Sequence, residues 1–201
     1  MIKAYNYALA LSALSWAALR VYKIPSEEQW TLVNCSIIAL HLQISFLFFF
    51  RTPISSRLQL RPLVIALLSL AAGGSILHLT PPLHTWPVVC SIAFLISTLF
   101  VLASFTFLGK SFAVFPVARD LVIRGPYSWV RHPAYLGEFG MLTASAAASV
   151  FDWPIYAILL LTLSLLAIAW RIVEEENILS ASLDYQSYRE QVRYRLIPFV
   201  W

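Results

Sequence analysis

The sequence predicts an all-α, polytopic integral membrane bundle of about six spans. Three observations carry this: 201 residues that are 60% hydrophobic and only 12% charged, a mean hydropathy of +0.75, and several apolar runs near the roughly 20 residues that cross a hydrocarbon core as a helix. An ordinary soluble domain is about 45–50% apolar and about 25% charged. A water-soluble globule and a disordered chain are therefore both excluded.

Six apolar segments divide the chain: Ala4 to Leu19, Leu32 to Phe50, Pro62 to Leu79, Trp86 to Leu108, Tyr135 to Phe151 and Pro154 to Trp170. The first ends in Arg20-Val21-Tyr22-Lys23 without a small-residue cleavage site, so it is expected to remain as a span rather than be removed as a signal peptide. The fifth and sixth are parted only by Asp152 and Trp153 before Pro154, which predicts a tight hairpin. On the fifth, Gly137, Gly140, Ala144, Ala147 and Ala148 would let helix backbones approach closely, as pairing in lipid requires. Cys35 and Cys90 lie in apolar runs with no C-x-x-C and no flanking histidines, and read as small core residues rather than disulfide partners or metal ligands.

Fourteen Lys and Arg against ten Asp and Glu leave a net charge of +4, a modest surplus that gives nucleic acid no foothold as a partner. Placement is more informative. With six alternating spans, every basic residue except Arg20 and Lys23 falls on one side, which the positive-inside rule makes the cytoplasm, with both termini there. Composition turns polar at Gly109 to Pro133 and again from Arg171 onward. Residues 1–108 thus form an N-terminal four-span membrane region, and 109–201 hold nearly all the chemistry available.

The first polar segment closes with Arg124-Gly-Pro-Tyr127-Ser-Trp-Val-Arg131-His132-Pro133-Ala-Tyr135-Leu-Gly137-Glu138. Gly125-Pro126 signals a turn, and Pro133 suits the first position of a helix because its missing N–H would be unsatisfied there. Arg131 and His132 then stand at a helix N-terminus, where a carboxylate is favoured; interfacial contact with lipid phosphates would use the same residues. Glu138 lies one turn into a lipid-depth helix. A carboxylate there is either paired and functional or reaches back to the interface.

The second polar segment, Arg171-Ile-Val-Glu174-Glu175-Glu176-Asn-Ile-Leu179, leaves the membrane where the first one does. Arg171 and Glu175 are four apart and share a helix face, so they pair or hold one ligand together. Three adjacent carboxylates also describe a solvated face. Brought together, the two segments offer cationic and anionic groups to one interfacial pocket, which suits a zwitterionic ligand with a fixed positive charge. Leu179, Leu183, Tyr188 and Val192 then continue a helical stripe, expected to fold over the site or to lie on the inner leaflet.

Taken in order, Gly125-Pro-Tyr127-Ser-Trp-Val-Arg131-His132-Pro133-Ala-Tyr135-Leu-Gly137, then Arg171 with Glu175-Glu176-Asn-Ile-Leu179, then Tyr185-Gln-Ser-Tyr188 and Val192-Arg-Tyr-Arg-Leu-Ile-Pro198, resemble the C-terminal signature of the isoprenylcysteine carboxyl methyltransferase family, which is allied with the membrane phospholipid methyltransferases. The likeness covers roughly Leu108 to Pro198. It departs at Ser182-Leu183-Asp184-Tyr185, where the family often places Phe-Gly-x-x-Tyr.

The resemblance implies a membrane enzyme that binds S-adenosylmethionine without a Rossmann domain and methylates a lipophilic acceptor taken from the bilayer, a carboxylate first. In keeping with this, the chain has no G-x-G-x-x-G. Carried over by position, Tyr127, Arg131, His132, Pro133, Tyr135, Gly137 and Glu138 would shape the cofactor site in region 109–201, and Arg171, Glu175 and Glu176 would be the catalytic residues. Arg131 and His132 would take the cofactor's carboxylate and Glu175 or Glu176 its ammonium. Arg171 would orient a carboxylate acceptor through its guanidinium fork; with a phospholipid amine or a phenolic lipid, a Glu would act as general base. No metal is expected. Two other classes stay open: a sterol-reductase-like enzyme using NADPH, and a non-catalytic membrane adaptor whose charged clusters merely face lipid.

Overall fold

The computed structural model describes residues 2–27, 30–51, 64, 67–68, 71, 74–77, 80–112 and 121–201. Among them the chain is helical, without a strand. The long helices are α1 (Ile2–Glu27), α2 (Leu32–Phe50), α3 (Val88–Leu108), α4 (Pro133–Ser149) and α5 (Pro154–Leu179), followed by a short α6 (Leu183–Gln191). Successive neighbours pack: α1 on α2, α2 on α3, α3 on α4 most extensively, and α4 on α5.

Among the described residues, three helical stretches, Leu32–Phe50, Val88–Ser111 and Pro154–Leu179, are long and apolar enough to cross a membrane. They fall on the second, fourth and sixth expected spans. The first and fifth spans fall on α1 and α4, while most of the third, Pro62 to Leu79, lies outside the described residues, where residues 74–77 are helical. Large apolar side chains cover the outer surface: Ile155, Ile158, Leu159, Leu163 and Leu166 on α5 and Val88, Ile92, Ile96 and Leu99 on α3 are exposed. An apolar exterior of this extent is what lipid, not water, tolerates. The chain is an integral membrane protein.

Polar groups inside the bundle are tied down locally. Hydroxyls of Ser36, Thr98, Ser104, Ser145 and Ser149 donate to the carbonyl four residues back, which satisfies them where water cannot. Thr31 caps α2, its Oγ1 accepting from the Asn34 N–H at 3.1 Å. Two clasps join α1 to α2: Arg20 Nε donates to Asn34 Oδ1 at 2.8 Å, and Arg51 Nε and Nη2 both donate to Asn6 Oδ1 at 2.9 and 2.7 Å.

Three expectations need correction. The small-residue face of α4 seats α3, not the sixth span. A Cβ on Gly137 would stand 2.4 Å from Val101 Cγ2 and 2.9 Å from the Ser97 carbonyl oxygen, and one on Gly140 2.3 Å from Ser97 Oγ. The tail stripe is rotated: Leu183 is exposed, and Tyr185 and Tyr188 are the buried positions of α6. Cys90 is buried, but Cys35 is exposed on the outside of α2.

Candidate active site

Three pieces of chain meet where α3, α4 and α5 end on one side. The first is the turn before α4, where Gly125 takes a positive φ of 63° and lies so close to the Phe107 ring that a Cβ would stand 2.6 Å from it. Only glycine combines that backbone with that contact. Pro133 opens α4 as expected, with His132 at the cap. The second piece is the last turns of α5. The third is the tail after α6, whose Tyr194 and Arg195 carbonyls accept from the backbone N–H groups of Arg131 and His132 at 2.9 Å each.

Glu176 knots the three together. Its buried carboxylate accepts from Arg131 Nε at 2.7 Å and from Arg195 Nε at 2.9 Å, and the His132 Nε2 lies 3.3 Å away. Arg131 is engaged further, its Nη1 donating to the Val192 and Arg193 carbonyls at 2.8 Å. These are charge-assisted bonds in a buried setting. Tyr188 adds a fourth tie, donating to the Tyr127 carbonyl at 2.7 Å. Burial raises the Tyr127, Tyr185 and Tyr188 phenols above their ordinary range, with Glu175 next in effect on Tyr127 and Glu176 next on Tyr185. All three stay protonated at neutral pH.

One residue earlier, Glu175 faces differently. It accepts from the Tyr135 hydroxyl at 2.9 Å and stands 4.0 Å from His132 Nδ1, so the His132 ring sits between the two glutamates. The Arg171 guanidinium lies over the Tyr135 ring, 4.8 Å from its centroid, and 3.9 Å from Glu138 Oε2. Arg171 is thus held by an aromatic face and a carboxylate.

These groups border a cavity of about 310 Å³, at the small end of the range for small-molecule sites, roughly 300–1,000 Å³. Of the residues expected at a site, Tyr127, Arg131, His132, Tyr135, Glu138, Arg171 and Glu175 line it. Pro133, Gly137 and Glu176 stand outside its lining: Pro133 starts the helix, Gly137 packs on α3, and Glu176 holds the tail. Tyr185 and Tyr188 line it as well; Tyr188 stood on the expected tail stripe, and Tyr185 was marked by its place in the tail motif. The opposite arm is apolar, with Leu40 and Ile44 from α2, Phe94 and Val101 from α3, and Met141 and Leu142 from α4.

Residues 86–183 match the phospholipid methyltransferase family. The match begins just before α3 and ends at the first residue of α6, and so contains the polar end of the cavity except Tyr185, Tyr188 and the tail that closes it. It indicates a membrane methyltransferase. No curated protein matches the chain.

Proposed function

We propose that the chain is an S-adenosylmethionine-dependent methyltransferase that modifies a carboxylate on a lipophilic acceptor, in the manner of the isoprenylcysteine carboxyl methyltransferases. The observation that carries this is the division of one cavity into a polar end bearing both charge signs and an apolar arm between α2, α3 and α4. The six spans and the cytoplasmic setting of this site belong to the same proposal and rest on the placement of the basic residues.

The donor set fits the cofactor. Glu175 offers a carboxylate for its ammonium. Tyr127, Tyr185 and Tyr188 line the wall with aromatic surface suited to a purine, and Arg131 and His132 present cationic and polar edges to its carboxylate. When bound, S-adenosylmethionine supplies a sulfonium methyl group for in-line displacement. The protein's own work is alignment and exclusion of water. Arg171, fixed by Tyr135 and Glu138, presents a planar fork that matches an acceptor carboxylate. A carboxylate arrives as a ready nucleophile, so this reading needs no base.

A second reading, methylation of a phospholipid amine, is favoured by the family match and by Glu138 on the cavity wall beside Arg171. An amine must lose a proton before it attacks, and Glu138 is placed to receive it. Purified protein in nanodiscs, given methyl-labelled S-adenosylmethionine and, separately, an S-prenyl cysteine, an aminophospholipid and a phenolic lipid, decides between them. Base-labile label on the prenyl cysteine is the expected result. Label on the aminophospholipid alone replaces the carboxylate reading with the amine one, and label on none of the three refutes both.

A further inference from the structure

We infer that Phe94 is the floor of the acceptor arm and sets the length of chain the enzyme accepts; this rests on the methyltransferase reading. Two packed helices measure the arm. On α4 the lining runs from Glu138 through Met141 and Leu142 to Ser145; on α3 it runs from Leu108 and Phe105 to Phe94, and the stretch level with the α4 path, below the Gly137 contact, goes from Val101 to Phe94. Each path covers seven residues, or about 10 Å at the helical rise. The levels agree because α4 is locked onto α3 at Gly137 and Gly140, against Ser97 and Val101.

Among the described residues, Phe94 is packed from behind. Its ring is fully buried and meets the Trp86 ring edge-on at 5.9 Å. It belongs to a packed cluster with Val33, Ile37, Leu83, Ala144 and Ala148. A chain passing from bilayer to arm exchanges one apolar medium for another, so extra methylenes gain nothing by transfer. Length is then discriminated by the floor alone. At roughly 1.2 Å per bond of an extended chain, the depth below Glu138 and Arg171 takes on the order of eight bonds. The arm therefore fits a single medium-length or two-isoprene chain, and longer chains must fold back to fit.

The test uses S-alkyl N-acetylcysteines and n-alkylamines with straight chains of 6 to 16 carbons, assayed with methyl-labelled S-adenosylmethionine on wild-type protein, Phe94→Ala and Ser145→Leu, with saturable cofactor binding confirming that each variant is folded. Wild type should peak at medium length. Phe94→Ala should move the optimum to longer chains, raising the ratio of long-chain to medium-chain kcat/KM about tenfold, and Ser145→Leu should move it to shorter ones. Labelled product with the same length profile in all three proteins overturns the floor and leaves the methyltransferase standing. If Phe94→Ala fails to bind cofactor, Ser145→Leu decides by the same criterion. No product with any acceptor in wild type overturns both.

Discussion

Glu175 and Glu176 are adjacent carboxylates with different duties, and exchanging each for glutamine should separate stability from activity. Glu176 is buried and holds buried Arg131 at 2.7 Å, with Arg195 at 2.9 Å. Removing one charge of a buried pair costs about 3–5 kcal/mol. The glutamine oxygen still accepts one bond and Arg195 is partly exposed, which places Glu176→Gln near the lower end, about 3 kcal/mol. For a chain of this size that is a fall in Tm of about 6–12 °C. Glu175 is about one-third exposed, and its amide counterpart can still accept from Tyr135. Glu175→Gln should stay within about 1 kcal/mol of wild type. It removes a charged partner for the cofactor's ammonium, worth about 1.5–3 kcal/mol, so the cofactor KM should rise about 10–100-fold. Thermal melts in detergent and a methyl-transfer assay on both variants provide the readings. A stable Glu176→Gln, or a Glu175→Gln with wild-type KM, refutes the division of labour.

Other expectations follow from single contacts. Gly137→Ala should cost about 1–3 kcal/mol by overpacking, and more than Gly140→Ala, since its Cβ meets backbone at Ser97 and Val101 while the other meets only the Ser97 side chain; paired melts check the order. Arg171→Lys keeps the charge but loses the planar fork over Tyr135, and should lower kcat/KM with a carboxylate acceptor at least tenfold while cofactor binding changes less. The buried tyrosines impose an alkaline limit. Their phenols ionise less readily in the folded state than the unfolded value near 10, so stability is fully present below that pH and declines above it as the unfolded chain alone ionises. Melts from pH 8 to 11.5 should show this decline, shallower in Tyr188→Phe.

Much of the scaffold was legible because lipid imposes a simple rule on it. The bounds of α2 coincide with the expected Leu32 to Phe50, and α3 and α5 begin within two residues of their expected positions. The charged extension of α5 was legible as helix from the four-residue spacing of Arg171 and Glu175, while hydropathy marked only where the chain leaves the membrane. Arg171 and Glu175, four residues apart, do reach one cavity. Their nearest partners, Glu138 and Tyr135, come from another helix that spacing within α5 cannot reveal. Glu176 resembles its neighbour in sequence and differs from it only through Arg131 and Arg195, which lie 45 and 19 residues away. The apolar arm was invisible for a related reason: Leu40, Phe94 and Met141 look like any other lipid-depth residues until packing turns them inward.

The central claim is that the polar end of this cavity holds S-adenosylmethionine, and equilibrium binding of the labelled cofactor to purified protein in nanodiscs tests it most directly. Saturable binding, displaced by S-adenosylhomocysteine and weakened at least tenfold by Glu175→Gln, is the predicted result. Absence of saturable binding, or displacement of bound label by NADPH instead, would contradict it.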